Sequence, residues 1–153
     1  MSAGGTEPLG DEAKTSEDAA SPGDGPLPVV ESPGGDAPSV IDADGRVSLA
    51  EALSRLPGPA GERFAKVFER GQLAVEIYAP RGRDPQGPHT RDEVYVVALG
   101  AGEFLNGPRR QKIGPGDFLF VPAGVEHRFE NFTDDLVVWV IFYGPEGGER
   151  PQP

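Results

Sequence analysis

The chain has no cysteine among its 153 residues. Disulfides and thiolate metal sites are therefore excluded. Long apolar runs are missing too. The longest, Leu136–Tyr143, has eight residues, against the roughly 20 that a membrane helix needs. No basic segment followed by an apolar run opens the chain, so no secretory leader is expected. A cytoplasmic protein with no membrane association is the default expectation. Aromatic residues are absent from positions 1–46. That stretch instead holds 8 Gly and 6 Pro, and ten acidic residues that face only Lys14 and Arg46. Eight of the chain's eleven net negative charges thus lie there. A segment so polar cannot bury enough apolar surface to offset its ordering entropy, and 1–46 is predicted to be disordered. An acidic tract of this kind is more often a solvating tail than an interaction arm. Clustered Lys and Arg are also lacking, so no nucleic-acid partner is expected.

What remains is one domain, residues 47–146, followed by a Gly- and Pro-rich tail, 147–153, expected to fray. Ser48 and Glu51 form a capping box, which predicts a short helix over 49–56, ended by Pro57-Gly58-Pro59. The apolar period then changes from helical to two. Strands are predicted at 64–68, 73–78, 93–99, 103–106, 109–113, 118–121, 126–132 and 136–143. Asn106-Gly107 is a hairpin signal, because both residues tolerate positive φ. Residues 80–90 hold three prolines and read as a loop. Eight short strands with tight turns and one short helix predict an all-β protein, a sandwich or barrel able to enclose one small ligand.

Histidine is as scarce as the residues above. There are two, His89 and His127. A lone histidine in a β-domain is more often a hydrogen-bonded structural residue than a ligand, and a lone Glu93 reads as a solvated face residue. The surrounding pattern changes that reading. Gly116, Pro122, Gly124, His127 and Asn131 stand at the spacing Gly-x5-Pro-x-Gly-x2-His-x3-Asn. Upstream, His89, Glu93 and Gly100 stand at the spacing His-x3-Glu-x6-Gly. With these two motifs the chain resembles the cupin superfamily, over roughly 60–143.

The resemblance implies a double-stranded β-helix, or jelly-roll, barrel. It also implies a divalent transition metal (Fe, Mn, Ni, Cu or Zn) held by His89, Glu93 and His127, and a homodimer. Imidazole and carboxylate suit those metals, and two His with one carboxylate leave coordination positions open. By strand alternation Tyr95 and Val97 share the face of Glu93, and Phe129 that of His127. Tyr95 and Phe129 are the candidate substrate-lining residues, each with plain core as the competing assignment. Tyr95 is also the candidate catalytic group. Asp92, Arg91, Arg128 and Glu126 are expected to point elsewhere.

One position departs from the family pattern. Gly87 occupies the place where many cupins carry a further histidine. Three consequences stay open: a working two-His, one-Glu triad; replacement by Gln86 or Asp84 from the same loop; or a barrel that binds ligand without metal. The functions weighed are a metal-dependent, dioxygenase-type oxidoreductase acting on a small organic molecule, an isomerase or epimerase, and a non-catalytic binder of a sugar or other metabolite. An interaction role for the acidic arm is a further alternative.

Overall fold

The computed structural model describes Met1, Ile41 and residues 45–150. The expected disordered tail, 1–46, lies almost wholly outside them. One helix, α1 (Leu49–Leu53), precedes eight strands: β1 (Phe64–Arg70), β2 (Leu73–Tyr78), β3 (Asp92–Leu99), β4 (Gly102–Asn106), β5 (Arg109–Ile113), β6 (Phe118–Val121), β7 (His127–Glu130) and β8 (Val137–Tyr143). All pairings are antiparallel. Five strands form one sheet in the order β1-β2-β8-β3-β6, and three form the other, β5-β4-β7. The two sheets make the predicted jelly-roll barrel.

The local signals act as the sequence suggests. Ser48 Oγ accepts from the Glu51 amide at 3.2 Å, and the Ser48 amide donates to the Glu51 carboxylate at 2.7 Å. The helix ends earlier than expected, at Leu53. The next amides reach back three residues rather than four, Arg55 to Ala52 at 3.1 Å and Leu56 to Leu53 at 3.0 Å, which tightens the last turn. Strand β7 is also shorter than predicted. Asn131 takes φ +47°, which breaks the extended conformation, and its Nδ2 donates to Glu103 at 2.6 Å. The segment expected to fray at 147 is instead tied back at its start. The Gly147 amide donates to the Thr90 carbonyl, and the Glu149 amide to the Asp92 carboxylate at 2.8 Å.

The five-stranded sheet buries its inner face throughout and its outer face over β1, β2 and β8. Its inner face packs Tyr95, Val97, Val138 and Val140 against Phe104 and Phe129 of the three-stranded sheet. Its outer face carries Ala65, Val67, Ile77 and Val137, which α1 covers through Ala52, Leu49 and Leu53. Strand β2 therefore sends its apolar set, Val75 and Ile77, outward to the helix. Its other set, Ala74, Glu76 and Tyr78, faces the barrel interior.

Gly100, which closes the first motif, sits in the turn between β3 and β4 with φ +76°. A Cβ there would lie 2.6 Å from Leu136 Cα and 2.7 Å from Leu136 N. Gly116 has φ +91° but open space around it. Gly116→Ala is expected to cost about 1 kcal/mol, the left-handed penalty alone. Gly100→Ala adds a backbone collision and is expected to cost about 3 kcal/mol or more. Urea denaturation of both variants checks this, and equal losses would show that the Leu136 approach imposes no constraint.

Candidate metal centre

Each candidate ligand arrives from a different local device. Glu93 is the second residue of β3, with its side chain on the inner face and no exposed surface. His127 opens β7 directly after the Pro122–Gly124 turn and is equally buried. That turn is held by Asp92, whose carboxylate accepts from the Ala123 amide at 2.9 Å. His89 ends the proline-rich loop, and its carbonyl accepts from the Gly124 amide at 2.7 Å. The two motifs are thus hydrogen-bonded to each other through their backbones.

The loop itself is fixed by Asp84. Its buried carboxylate accepts from Tyr78 Oη at 2.7 Å and from the Gln86 amide at 3.1 Å. It also accepts from Gln86 Nε2 at 2.9 Å and from the Phe129 amide at 2.7 Å. Gln86 Oε1 in turn accepts from Tyr95 Oη at 2.7 Å. Asp84 and Gln86 are therefore committed to holding the loop. Among the described residues the metal-capable cluster is His89, Glu93 and His127, and neither Asp84 nor a group at Gly87 joins it.

The three donor atoms lie within 4.8 Å of one another. Glu93 Oε2 is 3.0 Å from His127 Nε2 and 3.3 Å from His89 Nε2. His127 Nδ1 stands 2.8 Å from the Val125 carbonyl. A carbonyl only accepts, so Nδ1 carries a proton and Nε2 is left as the donor atom facing Glu93. A lone pair and a carboxylate oxygen at this separation need a cation between them, either a proton or a metal. Burial pulls the His127 value down, but hydrogen bonding to Glu93 and the Glu93 charge more than compensate and raise it. Both Glu93 oxygens are shut off from solvent without a hydrogen bond of ordinary geometry. A buried carboxylate left so is costly, and a divalent ion would relieve it. The donor set and its unsatisfied oxygens fit a metal.

The cluster borders a cavity of about 860 Å³, which His89, Glu93 and Gly87 line together with Glu76, Tyr78, Arg91 and Phe142. Phe129 does not line it. Phe129 is packed in the core on Tyr95 at 5.1 Å and on Phe104 at 4.9 Å between ring centres, and borders a separate cavity with Asp84 and Gln86. The Tyr95 ring is also core, and what it offers the cluster is its hydroxyl, 3.0 Å from His127 Nε2. Arg91, expected to point elsewhere, is a wall residue. The signal for it was its even spacing from His89 and Glu93, which places all three on one side of an extended chain. Glu76 was equally readable from the parity of β2, but only once the helix claimed the opposite face.

Burial pushes the Glu76 carboxyl up to about 7, with Lys66 opposing the rise and Glu93 adding to it. The folded protein then holds a proton that the unfolded chain has lost between pH 4.5 and 7. Folding stability falls across that interval, and above pH 7 the deficit is complete, at about 2–3 kcal/mol. In protein treated with EDTA, Glu76→Gln is therefore expected to gain about 2 kcal/mol on the native chain between pH 4 and pH 8. Urea melts at the two pH values measure it, and a pH-independent difference would refute it.

Comparison with known proteins agrees with the geometry. The family model described as Cupin domain matches residues 74–143. An uncharacterized protein of Streptomyces coelicolor is 41% identical over 85 residues, covering 54% of this chain and 81% of that one. The dimethylsulfoniopropionate lyase DddQ of Ruegeria pomeroyi is 30% identical over 102 residues, 60% of this chain and 51% of the lyase. An acireductone dioxygenase of Rhodopseudomonas palustris is 47% identical over 45 residues, 27% of each chain. The chain thus spans about half of the lyase and about a quarter of the dioxygenase. The barrel, the two motifs and the matched domain together show that this chain belongs to the cupin family.

Proposed function

We propose that this protein is a divalent-metal-dependent enzyme of the oxygenase type, acting on a small organic molecule, with His89, Glu93 and His127 as the metal's protein ligands. The observation that carries the reading is the convergence of three donor atoms, two of them on fully buried residues, beside an open cavity that His89 and Glu93 line. Two imidazoles and one carboxylate suit Fe, Mn, Ni, Cu or Zn, and Fe most directly for oxygen chemistry. Such an ion supplies Lewis acidity, redox capacity if it is Fe, Mn or Cu, and coordination positions that the protein does not fill. The likeness to a protein named acireductone dioxygenase supports this reading.

The chain's own residues prepare the site. The Val125 carbonyl sets the His127 tautomer. Burial, and then the Glu93 charge, push the Tyr95 phenol well above its usual value. It therefore stays protonated, and its proton is given to Gln86 Oε1, which orients the hydroxyl beside the cluster. Gly87 leaves open the space that an imidazole occupies in many cupins. Phe142, edge-on to His89 at 5.1 Å, closes one side of the site.

A second reading, a metal-dependent lyase, is supported by the same Tyr95 hydroxyl, which stands beside the cluster as a protonated group able to hydrogen-bond a developing negative charge or supply a proton to it. The likeness to the dimethylsulfoniopropionate lyase supports it.

The experiment is elemental mass spectrometry on protein purified without a histidine tag. Near-stoichiometric metal is expected, falling to roughly a tenth or less in the His89→Ala/His127→Ala double variant. Retention should also weaken as the pH is lowered through the raised His127 value, since the proton and the metal compete for Nε2. Oxygen uptake with substrate points to the oxygenase, and turnover without oxygen points to the lyase. Metal absent from both proteins after reconstitution would overturn either reading and leave a metabolite-binding barrel.

The expected homodimer is also a proposal, and the outer face of β3 and β6 supports it. Phe118 is 66% exposed and Phe120 43%, on the edge strand of the five-stranded sheet, beside Val94 and Val96. An apolar edge of this kind is usually covered by a partner. Light scattering should give twice the chain mass, and Phe118→Ser/Phe120→Ser should shift it to the monomer. A monomeric native protein would refute the proposal.

A further inference from the structure

The cavity's charges are not equivalent. Its cationic wall residues include Arg63, Lys66 and Arg91. Lys66 Nζ is paired with Glu69 at 2.8 Å. Arg63 Nε donates to the Ala79 carbonyl at 2.9 Å. Arg91, like Arg63, is held by a backbone carbonyl, but an aromatic ring fixes it as well. Its Nη1 donates to the Gln72 carbonyl at 2.5 Å, and the guanidinium lies over the Phe142 ring, 5.7 Å from its centre. Neither contact cancels the charge, and among the described residues no carboxylate forms an ion pair with it. The guanidinium is thus positioned and half-buried with most of its N–H groups uncommitted.

Its position matters as much as its charge. Phe142 pairs across the strands with Glu93 and touches the His89 ring edge-on. Arg91 and His89 therefore flank one aromatic ring in one wall of the cavity. A guanidinium offers a planar fork that matches a carboxylate with two parallel hydrogen bonds. One fixed in advance loses little freedom on binding. The acids nearby do not oppose an anion strongly. Glu69 is paired with Lys66, and the Glu93 oxygens are turned to the His89 and His127 imidazoles.

We propose that the cavity takes a small organic acid, and that Arg91 recognises its carboxylate while the remainder of the acid reaches the His89, Glu93 and His127 cluster. The assignment rests on the metal-dependent reading for the second contact only. Arg91 is then a specificity residue: it selects the anion and sets which end of it faces the ligands. A neutral isostere would leave the guanidinium desolvated and unpaired.

Calorimetric titration with acetate, oxalate, malonate and succinate, each beside its amide, tests this on the full chain, metal-loaded and after EDTA treatment. At least one acid is expected to bind the native protein, and its amide not measurably. Arg91→Gln is expected to weaken that acid by about tenfold or more. Arg91→Lys, which keeps the charge but not the fork, should fall between the two and guards against a folding defect in the first variant. Equal binding to the native protein and Arg91→Gln, or no binding by any acid, overturns the proposal even where metal loads normally. Acid binding that depends on Arg91 in protein unable to load metal would keep the proposal and remove the metal reading instead.

Discussion

The carboxylate of Asp84 is the constraint on which the mouth of the barrel depends. A loop with three prolines and little regular structure has no reason to hold one shape over 80–91. Asp84 supplies it by accepting four hydrogen bonds, from Tyr78 on one sheet, from the Phe129 amide on the other, and twice from Gln86. Four donors are what a buried carboxylate needs to offset its lost hydration. The consequence reaches the cluster. Gln86, oriented by Asp84, accepts from Tyr95, and Tyr95 stands at His127. One side chain thus ties the two sheets, shapes the loop that carries His89, and sets the hydroxyl beside the candidate metal.

Glu93 shows the opposite economy. Asp84 is satisfied by the protein, whereas Glu93 is equally buried and is left without hydrogen bonds of ordinary geometry. Two carboxylates in one barrel are therefore sorted by their partners. The first is structural because its oxygens are filled. The second is available for chemistry because its oxygens face the two imidazoles and the Tyr95 hydroxyl rather than backbone amides. A fold that tolerates the second does so because the first, with the Asp92 contacts to Ala123 and Glu149, keeps the surrounding turns in place.

Much of this was readable in the chain, and what was readable was local. The Ser48–Glu51 box, the Asn106-Gly107 hairpin and the eight strands depend on neighbours within a few residues. The candidate ligand set came from the resemblance to cupins that the two motifs carry, and alternation along β3 and β7 then gave its neighbours on the same face. What parity cannot report is depth. It places Phe129 on the inner face with His127, yet the ring is packed against Tyr95 of the other sheet and Phe104 beside it on the neighbouring strand. Nor can it say which face of β2 meets the helix, so the polar set of that strand was not recognisable as cavity wall. The role of Asp84 is longer-range still, since it binds an amide 45 residues away. Residues 2–40, where the acidic tail lies, are outside the described structure.

The departure at Gly87 takes its meaning from these neighbours. Had the chain replaced the histidine with a competing ligand, a carboxylate or amide would turn inward from the same loop. The two candidates, Asp84 and Gln86, are bound to each other, Asp84 lies outside the ligand cluster, and Gln86 is further committed to the Tyr95 hydroxyl. Glycine at 87 lines the cavity and adds no side chain to it. The loop has therefore been built to hold position 87 open, at the cost of a buried carboxylate that needs four donors. Space kept at that expense beside two imidazoles and a carboxylate is space for a ligand. Arg91, anchored on the same wall with its fork uncommitted, gives that space a preferred charge.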